Sequence, residues 1–333
     1  MSQLRPEPGG ASVTRSSIAG RRPDFFIVGQ PKSGTTALYE MLRTHPRIFM
    51  PDNKEPWFFA SELHERTPPR PAGTAQTLEE YLALFECASD DQLTGEASAL
   101  YLWSRTAADA IADVQPSARI IAVLREPASL LRSLHLQFIR TYVETETDLG
   151  RALSLEDARR EGREIPRYTY WPKALLYSEH VRYVEQLRRY HARFAPEQIL
   201  VLIYDDFRND NAGTIRRVLR FLELDDELEI ELREANPTLD VRSQRLHELL
   251  HAVSVGRGPL SHAVKGTIKA VTPRRLRRHA MVATQRRVVF AEPKPAEPQV
   301  MLELRRRFRG EVVALGEYLD RDLIQLWGYA DVK

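Results

Sequence analysis

The chain carries 333 residues, 43% of them hydrophobic and 28% charged, with 48 Lys plus Arg against 46 Asp plus Glu for a net charge of +2. This is a globular composition for one large domain or about two ordinary ones, and it excludes collagen-like and wholly disordered chains. The near-neutral balance argues against general nucleic-acid coating, and the lone Cys87 rules out an internal disulfide and a structural zinc cluster. No run of ~18 apolar residues marks a membrane span, and the opening stretch MSQLRPEPGGASVTRSS lacks the apolar core of a secretory signal. The expectation is a cytoplasmic protein without a transmembrane segment.

Residues 1–22 are rich in Pro, Gly, Ser and Arg without a hydrophobic period and read as a disordered tail ahead of a single α/β domain over 23–333. The first packed element is Phe25-Phe26-Ile27-Val28, a continuous apolar run of the kind buried on both faces of a parallel sheet. Thr36 to Thr44 then reads as a helix burying Leu38, Met41 and Leu42. The same grammar recurs at Arg119 to Leu124, a second buried strand, with Pro127 placed to start the next helix. Ile199 to Tyr204 is a third, preceded by an amphipathic helix presenting Leu176, Val181, Val184, Leu187 and Phe194. Strands alternating with helices imply right-handed crossovers and a doubly wound parallel sheet, whose ligands sit at the carboxyl ends of the strands. The C-terminal part is helical, with Met301, Leu304, Phe308, Val312, Leu315 and Leu319 on one stripe and Arg305, Arg306 and Arg309 off it. Before it, Glu292 to Pro298 has three prolines and reads as an extended connector. No internal repeat is present.

The most informative segment is Gly29-Gln30-Pro31-Lys32-Ser33-Gly34-Thr35-Thr36, between a strand and a helix. Small residues let backbone N–H groups approach an anion, and the helix N-terminus adds positive potential. Lys32 supplies a full charge, and Ser33, Thr35 and Thr36 supply hydroxyls. The glycine spacing copies the Walker loop, but that loop needs Lys directly after its second glycine, where this chain has Thr35. An anion site is indicated and an ATP–magnesium kinase disfavoured; the bland alternative is an ordinary strand–helix turn. A second candidate anion site pairs Arg125, directly after the second strand, with Ser133 about two turns into the following helix.

These two segments resemble sulfotransferases that use 3′-phosphoadenosine 5′-phosphosulfate (PAPS), with a P-loop-like fold. Pro31 to Thr36 looks like that family's 5′-phosphosulfate loop, and Leu124-Arg125-Glu126-Pro127 through Ser133-Leu134-His135 looks like its 3′-phosphate motif. The resemblance implies that Lys32, Gly34, Thr35 and Thr36 hold the 5′-phosphosulfate with Ser33 contributing locally, and that Arg125 and Ser133 hold the 3′-phosphate. Lys32 would also stabilise charge on the bridging oxygen as sulfuryl leaves. No metal is implied.

Transfer to a hydroxyl needs a base for the acceptor's proton. Asn53-Lys54-Glu55-Pro56-Trp57-Phe58-Phe59 resembles the Lys-Glu and aromatics of heparan-sulfate-type enzymes, where the glutamate is the base. That makes Glu55 the catalytic candidate, with Lys54 a weaker one for the transferring group; a plain loop salt bridge is the alternative. Small-molecule sulfotransferases use a histidine instead, for which His64 and then His135 are the candidates. Gly95 to Tyr101 also looks like a family segment, with Ala99 where proline is usual, and Glu96 there is read as orienting a lysine or the acceptor. Residues 140–175, with Tyr168, Tyr170 and Trp171, and residues 251–298, with Lys265-Gly266-Thr267 and the Arg274–Arg278 run, are read as acceptor or lid insertions. Asn236-Pro237 and Arg242-Ser243 carry a weaker family flavour. The expected acceptor is a hydroxyl or amine of a glycan, glycolipid or small metabolite. The alternatives are an ATP-dependent P-loop-like phosphotransferase and a non-enzymatic basic interaction protein.

Overall fold

The core strand Phe25–Gly29 (β1) is buried at every residue, and alternate side chains leave it in opposite directions. Phe26 and Val28 enter one hydrophobic core while Phe25 and Ile27 enter another. Complete burial of such side chains is worth about 1.5–3 kcal/mol each, so a five-residue run suffices to nail the centre of a sheet. The computed structural model describes residues 20–63, 75–167, 169, 171–227, 240–241, 290–291 and 297–332. His64, Tyr168, Tyr170, Asn236-Pro237, Arg242-Ser243, Lys265-Gly266-Thr267 and the arginine-rich 274–287 lie outside the described residues, as do most of the expected tail and connector.

Five parallel strands form the sheet in the order β2-β3-β1-β4-β5: β1, Ile48–Phe49 (β2), Leu93–Ala97 (β3), Arg119–Leu124 (β4) and Ile199–Ile203 (β5). The sequence reading finds β1, β4 and β5 but not β2 or β3. β2 is two residues long, and β3 (Leu-Thr-Gly-Glu-Ala) lacks an apolar run. Gly95 explains part of that composition: a Cβ there would lie 2.2 Å from the Phe25 ring, so β3 gives up a side chain to seat a core aromatic of β1. Tyr204, read as the end of the third strand, instead opens a helix.

Helices cover both faces. Thr35–Leu42 (α1) lies on one, while Leu78–Leu82 (α2), Ala107–Val114 (α3) and Pro127–Arg140 (α4) lie on the other. Leu149–Ser154 (α5) and Glu156–Arg160 (α6) follow in the stretch between α4 and β5. The helix expected before β5 is split: two 3₁₀ turns, Pro172–Leu175 and Tyr177–Val181, precede Tyr183–His191 (α7) because Leu176 and Arg182 adopt non-helical dihedrals. Tyr204–Asn209 (α8) and Asn211–Phe221 (α9) return to the face of α1. Pro298–Leu319 (α10) buries Leu304, Phe308, Val312 and Leu315 of the expected stripe, with Pro298 as its first residue, and Leu323–Leu326 (α11) follows. Asp240–Val241 and Phe290–Ala291 pair as a short antiparallel ribbon. Among the described residues no helix is long and apolar enough to cross a membrane.

β1 and β4 are neighbours, yet α1 leaves β1 on one face and α4 leaves β4 on the other. The crevice at such a switch in direction is where open α/β sheets hold ligands.

Candidate active site

The turn after β1 is set by backbone geometry before any side chain acts. Lys32 has φ 65° and Gly34, the N-cap of α1, has φ 83°. A Cβ on Gly34 would stand 3.1 Å from the Phe207 ring and 3.2 Å from that of Tyr204, so both conformation and space call for glycine. No side chain caps α1, which leaves the N–H groups of its first turn to meet an anion. The Ser33 hydroxyl is buried beneath the turn without a hydrogen-bond partner.

Arg125 enters from the end of β4. Its Nη1 donates to the carbonyl of Lys32 at 2.7 Å, and its guanidinium stands 4.8 Å over the ring of Tyr204. The Tyr183 hydroxyl donates to the Arg125 carbonyl at 2.7 Å. Next in sequence, Glu126 caps α4 by accepting from the N–H groups of Ala128 (3.2 Å) and Ser129 (2.7 Å), with Pro127 as first helical residue. Tyr329 donates to the same carboxylate at 2.5 Å, so the segment after α10 is tied to the residue beside Arg125.

Glu55 comes from a loop docked on the end of β3. The N–H of Glu55 donates to the Ala97 carbonyl (3.0 Å), that of Trp57 to the Ser98 hydroxyl (3.1 Å) and that of Phe59 to the Tyr101 hydroxyl (3.2 Å). Alternate residues are thus fastened to the Gly95–Tyr101 segment, and Glu55 and Trp57 take φ values of 64° and 50° to achieve it. Three such left-handed non-glycine residues, Lys32, Glu55 and Trp57, share one cleft, where backbone strain commonly gathers at functional sites.

That cleft holds about 300 Å³ and is lined by Lys32, Gly34, Thr35, Thr36, Glu55 and Arg125, among others. Six of the residues singled out from sequence therefore meet. Ser33 and Ser133 do not line it; both are buried, Ser133 within α4. Lys54 ion-pairs with Glu55 at 2.6 Å behind the wall. His135 is also away from the cleft, with one ring nitrogen 2.9 Å from the Tyr177 hydroxyl and the other 3.2 Å from the Thr147 carbonyl. Of the three aromatics after Glu55, Trp57 forms wall while Phe58 stacks on Tyr81 and Phe59 is core. The sequence reading misses Gln137 and Phe138, which with Leu134 and the C-cap Thr141 line the cleft along one face of α4, and Tyr204 under Arg125.

Burial, with help from nearby Arg140 and Arg125, pushes the Lys32 ammonium down to about 8, while Glu55 acts in the opposite direction. Burial also lowers the pKa of Arg125. Two desolvated cations held at one cleft are arranged for a polyanion.

A strand–turn–helix cradle with an arginine from the adjacent strand and a carboxylate opposite defines a P-loop-like anion-binding α/β protein. Residues 22–238 match the family model of the sulfotransferase domain, and the chain belongs to that family. It is 28% identical to mouse carbohydrate sulfotransferase 15 over 261 residues, 61% of this chain and 44% of that protein. It is 31% identical to human heparan sulfate glucosamine 3-O-sulfotransferase 6 over 225 residues, 65% of this chain and 57% of that one. The chain thus spans about half the length of the curated relatives it matches. A crystal structure of a sulfotransferase from Alicyclobacillus acidocaldarius shares the fold, with a TM-score of 0.64 at 23% identity over 91% of this chain and 97% of the other.

Proposed function

We propose that this protein is a PAPS-dependent sulfotransferase that transfers sulfuryl to a hydroxyl or amine of a glycan. One observation carries the reading: Lys32, Arg125 and Glu55, from three separate segments, line a single cleft at the carboxyl edge of the sheet. The uncapped first turn of α1 suits a phosphosulfate group, and Arg125 suits a second phosphate. The relatives are carbohydrate and heparan sulfate sulfotransferases, which favours a glycan acceptor.

Bound there, the donor supplies the sulfuryl group and a phosphate leaving group. The α1 N–H groups, Gly34, Thr35 and Thr36 orient the 5′ end, with Ser33 supporting the turn. Lys32 places its charge against the negative charge that develops as the leaving oxygen departs. Arg125 holds the 3′-phosphate. Glu55 takes the proton from the attacking acceptor oxygen in an in-line displacement. Lys54 pairs with that carboxylate at 2.6 Å and orients it.

Calorimetry with adenosine 3′,5′-bisphosphate, 5′-AMP and ATP–magnesium tests the donor assignment. The expected result is metal-independent binding that needs the 3′-phosphate. Arg125→Ala should weaken the bisphosphate about 10- to 100-fold and 5′-AMP little, in line with ~1.5–3 kcal/mol for a hydrogen bond to a charged group. Lys32→Ala should weaken both. Preference for ATP–magnesium, or equal weakening of both nucleotides by Arg125→Ala, overturns the assignment.

A further inference from the structure

The segment after α10 reaches back toward the cleft. Asp320 takes φ 50°, and the Arg321 N–H donates to the Gly316 carbonyl at 2.9 Å. The chain passes so close there that a Cβ on Gly316 would stand 2.9 Å from the Arg321 carbonyl oxygen. α11 follows, capped by Asp322, and the Tyr329 N–H closes on the Ile324 carbonyl at 2.8 Å. Leu323, Trp327 and Tyr329 are buried. Three side chains of this short segment donate to three carboxylates. Arg321 forks onto Asp206 at 2.5 and 2.7 Å, the Trp327 indole N–H donates to Asp205 at 2.9 Å, and the Tyr329 hydroxyl donates to Glu126 at 2.5 Å.

These carboxylates sit beside the two residues that form the Arg125 site. Glu126 follows Arg125 in sequence, and Asp205 and Asp206 follow Tyr204, whose ring lies 4.8 Å under the Arg125 guanidinium. The charges of Asp205 and Glu126 act on Arg125, opposing the effect of its burial. Yet among the described residues Arg125 forms no ion pair; its guanidinium donates instead to the Lys32 carbonyl. Apart from Trp327, Asp205 meets Arg208 at 4.0 Å. Apart from Tyr329, Glu126 accepts from its own helix at 3.2 and 2.7 Å and faces Arg305 at 3.5 Å. Arginine–carboxylate pairs are strong and frequently bidentate, so a carboxylate released beside Arg125 would compete with any phosphate for the same donors.

We infer that residues 321–329 form a brace that keeps the Arg125 guanidinium open to a phosphate, with Trp327 and Tyr329 as positioning residues that hold Asp205 and Glu126 off it. The brace lies outside residues 22–238, the part of the chain that matches the family model. Neither Trp327 nor Tyr329 lines the cleft. The inference rests on the sulfotransferase reading for the identity of the phosphate. It adds that recognition of the donor's 3′ end is set by residues from the far end of the chain.

The test is calorimetry with adenosine 3′,5′-bisphosphate and 5′-AMP on Trp327→Phe and Tyr329→Phe, the second of which keeps the buried ring and removes only the hydroxyl. Each should bind the bisphosphate about three- to tenfold more weakly than wild type, the scale of one competing ion pair, with 5′-AMP within about twofold. Adding Asp205→Asn to Trp327→Phe removes the competing charge and should bring the bisphosphate back to within about twofold of wild type. A segment that acts through packing alone would lose both nucleotides together and would gain nothing from Asp205→Asn. Unchanged bisphosphate affinity in either single variant overturns the inference. So does an equal loss of both nucleotides, or a double variant no better than Trp327→Phe. If Trp327→Phe does not fold, Tyr329→Phe and its 5′-AMP control decide alone. Failure of the wild type to bind the bisphosphate at all is a different result, which sinks the sulfotransferase reading itself.

Discussion

On the side of the cleft proposed to take the donor, Lys32 and Arg125 hang from the ends of adjacent parallel strands whose backbones the sheet fixes. On the side proposed to take the acceptor, the described residues of 141–182 contain no strand, and their short helices and 3₁₀ turns are held by side chains. Arg159 and Glu144 pair at 2.7 Å with side-chain exposures of 1% and 0%, and Tyr177 donates to the same carboxylate at 3.2 Å. Glu156 accepts from the Ser178 N–H at 2.6 Å and from Arg307 of α10 at 3.0 Å, while the Thr169 hydroxyl donates to the Val143 carbonyl at 2.5 Å. The contrast has a functional sense. A donor shared by a family can be met by a backbone motif, whereas an acceptor that differs between members is met by loops whose side-chain networks can be rewritten. It also has an energetic one: deleting a side chain from the donor half removes a contact, whereas deleting one from the acceptor half removes the scaffold.

Glu55 stands at the seam and gives the largest expected effect. Glu55→Ala should cut turnover about 10²–10⁴-fold, the usual size of a general-base contribution, with adenosine 3′,5′-bisphosphate binding within twofold of wild type. Full turnover in that variant removes Glu55 as the base. Glu144→Gln attacks the acceptor half directly. It leaves the Arg159 charge buried without its partner, a loss of about 3–5 kcal/mol, and should lower Tm by roughly ten degrees. The KM for acceptor should rise while bisphosphate affinity holds, and adding Arg159→Met should recover most of the stability. An unchanged Tm, or a parallel loss of nucleotide affinity, breaks the contrast between the two halves.

The same contrast decides what was legible in the sequence. β1, β4 and β5 announce themselves because strands buried on both faces must be continuously apolar, and the turn after β1 through its glycines and Gly34 in particular, where a side chain has no room. Lys32, Glu55 and Arg125 were legible through short motifs with fixed spacing, and the structure brings them together. β3 was not, because Gly95 is dictated by the distant Phe25 ring and Glu96 by partners such as Tyr81. Nor was the brace after α10. Trp327 and Tyr329 read as core aromatics until the fold sets their polar atoms against Asp205 and Glu126. Tyr204 shows the limit at single-residue scale, since its apolar neighbours extend the strand pattern although it begins α8 beneath Arg125.

The smallest predicted effect concerns the shelf that carries Glu55. Burial pushes the Glu96 carboxyl up to about 7 from an ordinary 4.5, against hydrogen bonds from Ser98, Tyr101 and Tyr81 and the charge of Lys54. The folded protein therefore holds a proton that the unfolded chain releases near pH 4.5. Stability from this group is full below about pH 4.5, falls as pH rises to about 7, and is flat beyond. Glu96→Gln removes the titration, so the variant's Tm relative to wild type should climb by a few degrees between those limits and then level off, an effect of about 1–3 kcal/mol. Parallel Tm curves would mean that Glu96 titrates alike in both states. Turnover then sharpens the comparison. If Glu96→Gln works at the wild-type rate, Glu55 is positioned by its backbone bond to the Ala97 carbonyl, and the segment that carries it belongs with the backbone-built half. A tenfold loss at unchanged nucleotide affinity would put it with the half built from side chains.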